Sequence, residues 1–485
     1  MSKVVGSFGR LWGRGHETFL SDKRRILSVS GMGATNYLQG LVTSDLLSEP
    51  TPPRPEPLDD RQPGIPDEYQ RTAADYETLP KILFSQKCRS TCFLDAKGRV
   101  VTDSLLWKAN EEQYYIDVPS NTADTLMDHL KQFKLRRTKA SVEDKSSSMA
   151  SHVVFGTLNA DATPDGFMAA MDPRHPSLGM RVLSLPKDEE TAQQHKERFS
   201  TMMSSTFPDS VGNYDLVRRL AGVAEGAEIQ GKVGSECNQE FLNAISYHKG
   251  CYLGQELTAR VHHTGVLRKR IMPILLVSTN TEIPGPWTVA SQLQEGRKMK
   301  KFTKRELKAL PSKLPRLSVL GVGNLVGLMT SSIAPDIPEH ETEAKEELKK
   351  LQNEAKLLLA ELEEHATAGA KITDLKDGKK IGEIIAPPVK GTNVALAMMR
   401  LDRVGLLGDN AWDRMNRVKL GEGSGELRFL PYLPLWWPTI DEETGKELVL
   451  DEDDDDDEED NIGEEPDLKE EERNEKVESE SKYQQ

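Results

Sequence analysis

Apolar and polar positions change period several times along the chain, and each change predicts an element. RRILSVSGMGATNYLQGLVTSDL, from Arg24, reads as a strand, a glycine turn and a short helix carrying Tyr37, Leu38 and Leu41. FLDAKGRVVTDSLLW followed by QYYIDVP predicts strands paired around an Ala-Lys-Gly turn. NTADTLMDHLKQFKLRR then predicts an amphipathic helix with Leu126, Leu130 and Phe133 on one face. The strand, strand, helix order is that of an α+β domain. After Ile271 the apolar runs shorten and are punctuated by Pro and Gly (RIMPILLV, SVLGVGNLVGLMTSS, KKIGEIIAPP, TNVALAMMR), which predicts strands of a small β-barrel.

Breaks in these patterns set the organisation. Seven prolines between Glu49 and Pro66 fix φ and remove backbone donors, so this stretch is expected to be an extended insertion. Residues 297–316 hold nine basic residues and one acid. Ala344, Leu348, Leu351, Ala355, Leu358 and Leu362 form one helical stripe closed by Gly369, expected to lie on the chain's own barrel. The expected divisions are a flexible N-terminus or presequence remnant at 1–22, a first module at 23–145 with a disordered insertion at 49–80, and a second module at 146–267. A C-terminal barrel at 268–440 follows, with a basic insertion at 297–316 and a helical insertion at 339–369, and then an acidic disordered tail at 441–485.

Charge changes little in this picture once it is located. Residues 451–485 hold 19 acidic and 4 basic residues and so account for the whole net charge of −15. The rest balances at 59 acidic and 59 basic residues, a body with no global field for nucleic acid, and no nucleic-acid partner is expected. The 485 residues are enough for two or three domains without disulfide or metal staples. Four cysteines in that length point to a reducing compartment. No apolar run reaches the roughly 20 residues that span a bilayer, and no membrane insertion is expected. Lys3, Arg10 and Arg14 precede the first acid, Glu17, as in a mitochondrial presequence; Gly6, Gly9, Gly13 and Gly15 equally fit an ordinary flexible terminus. Gly31 and Gly33 are followed by Asn36 where a dinucleotide-binding turn needs its third glycine.

The candidate chemistry lies in SYHKGCYLGQELTARVHHTGVLRKR, Ser246 to Arg270, which sets Cys251 among glycines and basic residues. The spacing of Gly250 and Gly254 does not fit the nucleophile elbow of a hydrolase. Cys88 and Cys92 are followed by no CxxC pair, which weakens a structural zinc site. Lys249, Arg260 and Arg268 to Arg270 are expected to favour a thiolate at Cys251. A thiolate suits iron in sulfur clusters, yet clusters usually take four such ligands, so other thiolates would have to join it. A buried structural cysteine is the alternative, and it is the reading adopted for Cys88, Cys92 and Cys237.

KGCYLGQE, Lys249 to Glu256, is similar to the K-G-C-Y-x-G-Q-E signature of the YgfZ/GcvT-like folate-binding family. Its continuation LTARVHHTGVLRKRIMP most resembles the mitochondrial iron–sulfur cluster assembly branch, and GVAEGAEI, ECNQEFLNAISYHKG, YLQGLVTSDL and FLDAKGRVVTD follow in that family's order. PLWWP resembles an extension of fungal members. The resemblance implies an α+β fold, GcvT/YgfZ-like, of two α/β-type modules around a central cavity plus a C-terminal β-barrel. It implies a largely non-enzymatic factor of the mitochondrial matrix that makes [4Fe-4S] clusters for enzymes such as aconitase and lipoyl synthase. A-type scaffold proteins are the implied partners, with ferredoxin acting indirectly. Cys251 would be ligand to a [2Fe-2S] or [4Fe-4S] cluster shared with the partner. Lys249, Gly250, Tyr252, Gly254, Gln255, Glu256 and Arg260 would shape its surroundings.

The same resemblance implies a folate-dependent one-carbon transferase or a tRNA-modification factor as the alternative, with tetrahydrofolate bound near Asp103 and Arg218. The family's R-x-E-x-G pterin site aligns with Arg218 to Gly222, where Leu220 replaces the carboxylate, and its paired aspartates become Thr102 and Asp103. Both departures argue against transfer activity.

Overall fold

The computed structural model describes residues 15–50, 87–155, 165–185, 190–203, 213–288, 290, 305–306, 312–329, 342–408 and 416–449. Nearly all of these belong to one compact unit, Met1–Lys300 with Pro311–Glu447, to which everything below refers; the other unit is Lys301–Leu310 with Leu448–Gln485. All of the expected insertion at 49–80 beyond Pro50, most of the basic insertion at 297–316 and the tail from 450 onward lie outside the described residues.

The chain enters through β1 (Gly15–Phe19), which pairs along its whole length with the later strand Ser151–Phe155. Its burial corrects the expectation of a flexible segment to residue 22: Phe19 is only 1% exposed, and its ring stacks edge-on against Tyr214 at 4.9 Å. β2 (Arg24–Ser30), α1 (Ala34–Gln39), β3 (Cys88–Leu94), β4 (Val100–Asn110), β5 (Gln113–Pro119), α2 (Ser120–Gln132) and β6 (Ser141–Asp144) follow. Their strands form an antiparallel sheet in the order β3-β4-β5-β2-β6. Alternation along these strands sends Leu27, Val29, Leu106, Ile116 and Val118 to the face covered by the two helices, where Tyr37, Leu38, Leu126 and Leu130 complete a core. Ile26, Leu105 and Trp107 point the other way.

That second face meets a sheet made of β1, β7 (Ser151–Phe155), β8 (Phe167–Met171) and β9 (Met180–Ser184), ordered β1-β7-β9-β8. Met168, Ala170 and Leu183 pack there against Ile26, Leu105 and Trp107. The helices α3 (Ala192–Met203), α4 (Asn213–Leu220) and α5 (Gln255–His263) follow in the chain.

β10 (Lys269–Ser278) opens a closed barrel whose order is β10-β14-β13-β12-β15-β16, formed with β12 (Lys371–Asp374), β13 (Lys380–Ala386), β14 (Val394–Arg400), β15 (Arg417–Leu420) and β16 (Leu427–Pro431). Every pairing in it is antiparallel, and closure leaves no edge. Outside it, β11 (Arg316–Leu317) pairs in parallel with β17 (Leu433–Pro434). The expected barrel strand in SVLGVGNLVGLMTSS is instead a helix, α6 (Val319–Met329). An apolar run without period is compatible with a buried helix or a buried strand, and here Val322, Leu325 and Val326 join the core shared by the barrel and α4. The helical insertion is α7 (Thr342–His365), whose Leu358 and Leu362 pack on the barrel while Leu351 stands 53% exposed. Residues 441–447, expected in the tail, instead fold back on the barrel: Ile440 bridges to Glu447, and the Gly445 carbonyl accepts from Arg270 Nε at 3.0 Å. The PLWWP segment ties barrel to α4, with Trp436 Nε1 donating to the Ala221 carbonyl at 2.9 Å.

Candidate functional site

The KGCYLGQE segment is an irregular loop leading into α5, and its geometry comes from docking on the first sheet and α1. Ser246 N–H donates to the Thr43 carbonyl at 3.0 Å and Leu253 N–H to the Gly40 carbonyl at 2.9 Å. Between these two ties, Lys249 Nζ donates to the carbonyls of Gln39, Val42 and Ser44 at 2.7, 2.6 and 3.0 Å. Gln39 ends α1, and Val42 and Ser44 lie in the loop beyond it, where carbonyls lack helical partners. The ammonium also lies 4.8 Å from the Tyr252 ring centroid, a cation–π contact. Lys249 is therefore a clasp joining the loop to the first module, and its three donors are spent on Gln39, Val42 and Ser44. Arg270 is likewise committed: it is buried and donates to Gly445, Ser235, Asn238 and Glu240.

Two glycines let the loop close. Gly254 has φ +78°, and a Cβ there would fall 2.3 Å from the Asp95 carbonyl oxygen and 3.1 Å from Gly98 Cα. Gly98, at φ +77°, would in turn place a Cβ 2.7 Å from the Gly254 carbonyl oxygen. The Ala-Lys-Gly turn between β3 and β4 and the start of α5 thus touch backbone to backbone, which only glycine permits. Gly250 differs: a Cβ there would meet nothing within 4 Å. Gln255 folds back so that its Oε1 accepts from Tyr252 N–H at 2.9 Å. Glu256, Arg260 and His263 share an exposed side of α5, and His262 stacks on Tyr247 at 3.6 Å between centroids.

Cys251 sits at the tip of this clasped loop and is exposed, whereas Cys88, Cys92 and Cys237 are buried. Burial pushes all three of those thiols above the usual range, and Cys92 Sγ donates to Gln239 Oε1 at 3.2 Å. No group of three or more His, Cys, Asp or Glu among the described residues is placed to hold a metal ion.

Asp103 and Arg218 lie elsewhere, in a network of buried charges between the two sheets. Asp103 Oδ1 accepts from Gly226 N–H at 2.7 Å, and burial, then Glu225, raise its pKa to about 6. Arg218 holds Glu228 in a fork at 2.6 and 3.0 Å. Between them, Glu225 accepts from Arg174 and from Tyr214 OH at 2.5 Å each and from Arg24 at 3.2 Å. Arg24 also donates to Asp117 at 2.6 Å, and Asp117 accepts from Ser151 on β7 at 2.7 Å. Asp172 completes the set with Arg174 and Arg181. Sequence reasoning missed Arg24, Asp117, Arg174, Arg181, Tyr214 and Glu225. The available signal was single charges inside otherwise apolar strands, as in QYYIDVP and MRVLS.

Among curated proteins, the mitochondrial iron–sulfur cluster assembly factor IBA57 homologue of Aspergillus oryzae is 29% identical over 279 residues, 52% of this chain and 55% of that protein. Its counterpart in Pyricularia oryzae is 31% identical over 262 residues, covering 52% and 56%, and that in Yarrowia lipolytica is 26% identical over 406 residues, covering 72% and 78%. The chain is similar to proteins named as IBA57 assembly factors. It spans little more than half the length of the first two relatives. No protein-family model matches the chain. Among solved structures, the glycine cleavage system aminomethyltransferase T from Bartonella henselae aligns over 90% of both chains, with a TM-score of 0.48 and 10% identity.

Proposed function

We propose that this protein is a mitochondrial iron–sulfur cluster assembly factor, acting in the matrix with A-type scaffold proteins to build [4Fe-4S] clusters for enzymes such as aconitase and lipoyl synthase. The carrying observation is the contrast among its thiols. Cys251 alone is exposed, on a loop clasped by Lys249 and by the Gly98–Gly254 contact, while the other three cysteines are core side chains. The names of the homologues support the same reading. The cluster is cargo. A single thiolate cannot hold it, so Cys251 supplies one ligand and a partner's thiolates the rest. The open space at Gly250 leaves the loop tip clear for that approach.

The test mixes the protein with an A-type scaffold protein, ferrous iron, sulfide and a thiol reductant, and reads the visible absorption and circular dichroism of the mixture. Cys251→Ser keeps the loop and offers iron a poorer ligand, so the spectrum of the shared cluster is lost and aconitase maturation in cells falls. A serine variant that still yields the same spectrum and still matures aconitase removes Cys251 from the role. Tetrahydrofolate is the competing ligand. Binding it requires Asp103 and Arg218 to give up Gly226 N–H and Glu228.

A further inference from the structure

A cavity of about 190 Å³ opens between the loop after α1, the start of β3 and the segment that leads into the Cys251 loop. It has room for about six waters at about 30 Å³ each and is smaller than the roughly 300 Å³ of drug-sized pockets, so its occupant is small. Ser44 and Ser90 line it at only 6% and 2% exposure, and the Oγ of each is buried without a hydrogen-bond partner among the described residues. A buried hydroxyl left unpaired costs the water it has lost, so two on one cavity call for an occupant that pairs them. The acids between the sheets differ, because a ligand there has to displace partners they already hold.

The lining also carries charge of both signs. Arg89, half-buried, donates to the main-chain carbonyls of Asp45 and Ser48, neutral acceptors that leave the guanidinium's charge standing. Asp45 accepts from Gln39 Nε2 at 2.7 Å and from Leu47 N–H at 3.0 Å, both on Oδ1, and Glu49 is exposed at the rim. Asn243 Nδ2 donates to the Pro173 carbonyl at 3.2 Å, which ties two segments of the wall together before any ligand arrives. We infer that this cavity binds a small zwitterion of the α-amino-acid class, its carboxylate paired with Arg89 and its ammonium with an acidic side chain and the serine hydroxyls. An ammonium has three donors and no acceptor, so hydroxyl oxygens and a carboxylate satisfy it. An anion alone would meet Asp45 and Glu49 without a counter-charge, and a cation alone would meet Arg89. Cys251 is not among the lining residues, so the inference stands whether or not that thiol ligates a cluster.

The experiment titrates the full chain calorimetrically with L-alanine, L-serine and L-glutamine, and with ethylamine and propionate, which carry only one of the two charges. Thermal melts with each probe run alongside. At least one of the amino acids is expected to bind and raise the melting temperature, with ethylamine and propionate at least about tenfold weaker. Ser44→Ala and Ser90→Ala each remove a hydroxyl that has no partner in the protein, so the unliganded variants should melt at or above the wild-type temperature. Their affinity for the amino acid should nevertheless fall roughly tenfold or more, a split that a purely structural serine would not produce. Undiminished binding in both serine variants overturns the assignment of the site. Ethylamine or propionate binding as tightly as the amino acids overturns the zwitterion. No heat and no melting shift from any probe leaves the cavity to water and overturns the inference.

Discussion

Replacing Lys249 with Met removes the clasp while keeping most of the side chain's volume. The three carbonyls of Gln39, Val42 and Ser44 then lose their donor. Charge-assisted hydrogen bonds contribute about 1.5–3 kcal/mol each, and the site is only partly buried, so water can replace part of that. The contact with the Tyr252 ring adds roughly 0.5–1 kcal/mol. Against these stands the cost of desolvating the ammonium, which the substitution relieves. The balance is a loss of about 2–4 kcal/mol for the docked loop, or a 30- to 1000-fold rise in its open fraction, at about 1.4 kcal/mol per decade. The global fold is expected to hold, because the sheets and barrel have their own cores. Native-state hydrogen exchange reads the effect at two amides, Ser246 N–H and Leu253 N–H, whose acceptors belong to the first module. Both should exchange faster, while amides of β4 and β5 keep their protection. If Ser246 and Leu253 keep wild-type protection in the Lys249→Met protein, the ammonium is not what holds the loop and the clasp argument fails.

Gly254→Ala must place a methyl group 2.3 Å from the Asp95 carbonyl oxygen at φ +78°, so it is expected to cost about 2–4 kcal/mol in a urea titration, whereas Gly250→Ala, in open space, should stay within about 1 kcal/mol of wild type. The second sheet should be acid-sensitive: burial, then His16 on β1 and His195 and Arg198 on α3, hold His152 well below its ordinary pKa of about 6.5. The folded state therefore binds fewer protons than the unfolded one, and stability present above pH 6.5 declines as pH falls below it. His152→Phe, which preserves the stack on Phe199, should flatten that decline in thermal melts, and an unchanged pH profile would reject the assignment.

The sequence announced the parts of the site that depend on local chemistry. A glycine that must take positive φ, as Gly254 and Gly98 do, leaves its mark in one residue type, and the alternation of β4 and β5 is visible over a few positions. Lys249 was legible as a basic neighbour of the thiol, but not as a clasp, because its acceptors lie more than two hundred residues earlier in the chain. The N-terminal strand was hidden for the same reason. GHETF has a polar middle, and its partner β7 enters only at Ser151. For α6 the obstacle was different: a helix apolar on every side has no period to read.

The buried charges between the sheets bear on which of the two candidate sites is left with chemistry to do. Arg24, Arg174, Arg181 and Arg218 face Asp103, Asp117, Asp172, Glu225 and Glu228, and each acid accepts from a neighbour within the protein. Breaking one such buried pair typically costs about 3–5 kcal/mol, since the remaining charge is stranded away from water. A ligand entering between the sheets would have to replace those partners one for one, and its binding energy would go first to that exchange. At the Cys251 loop the balance is the opposite. The clasp and the glycine contact hold the backbone, and the thiol itself is exposed, so the proposed approach of a metal-bearing partner does not require the loop to open. Among the described residues the charges between the sheets are paired within the protein and Cys251 is the exposed thiol, a contrast that supports the proposed delivery to another protein over the alternative of a small molecule held inside.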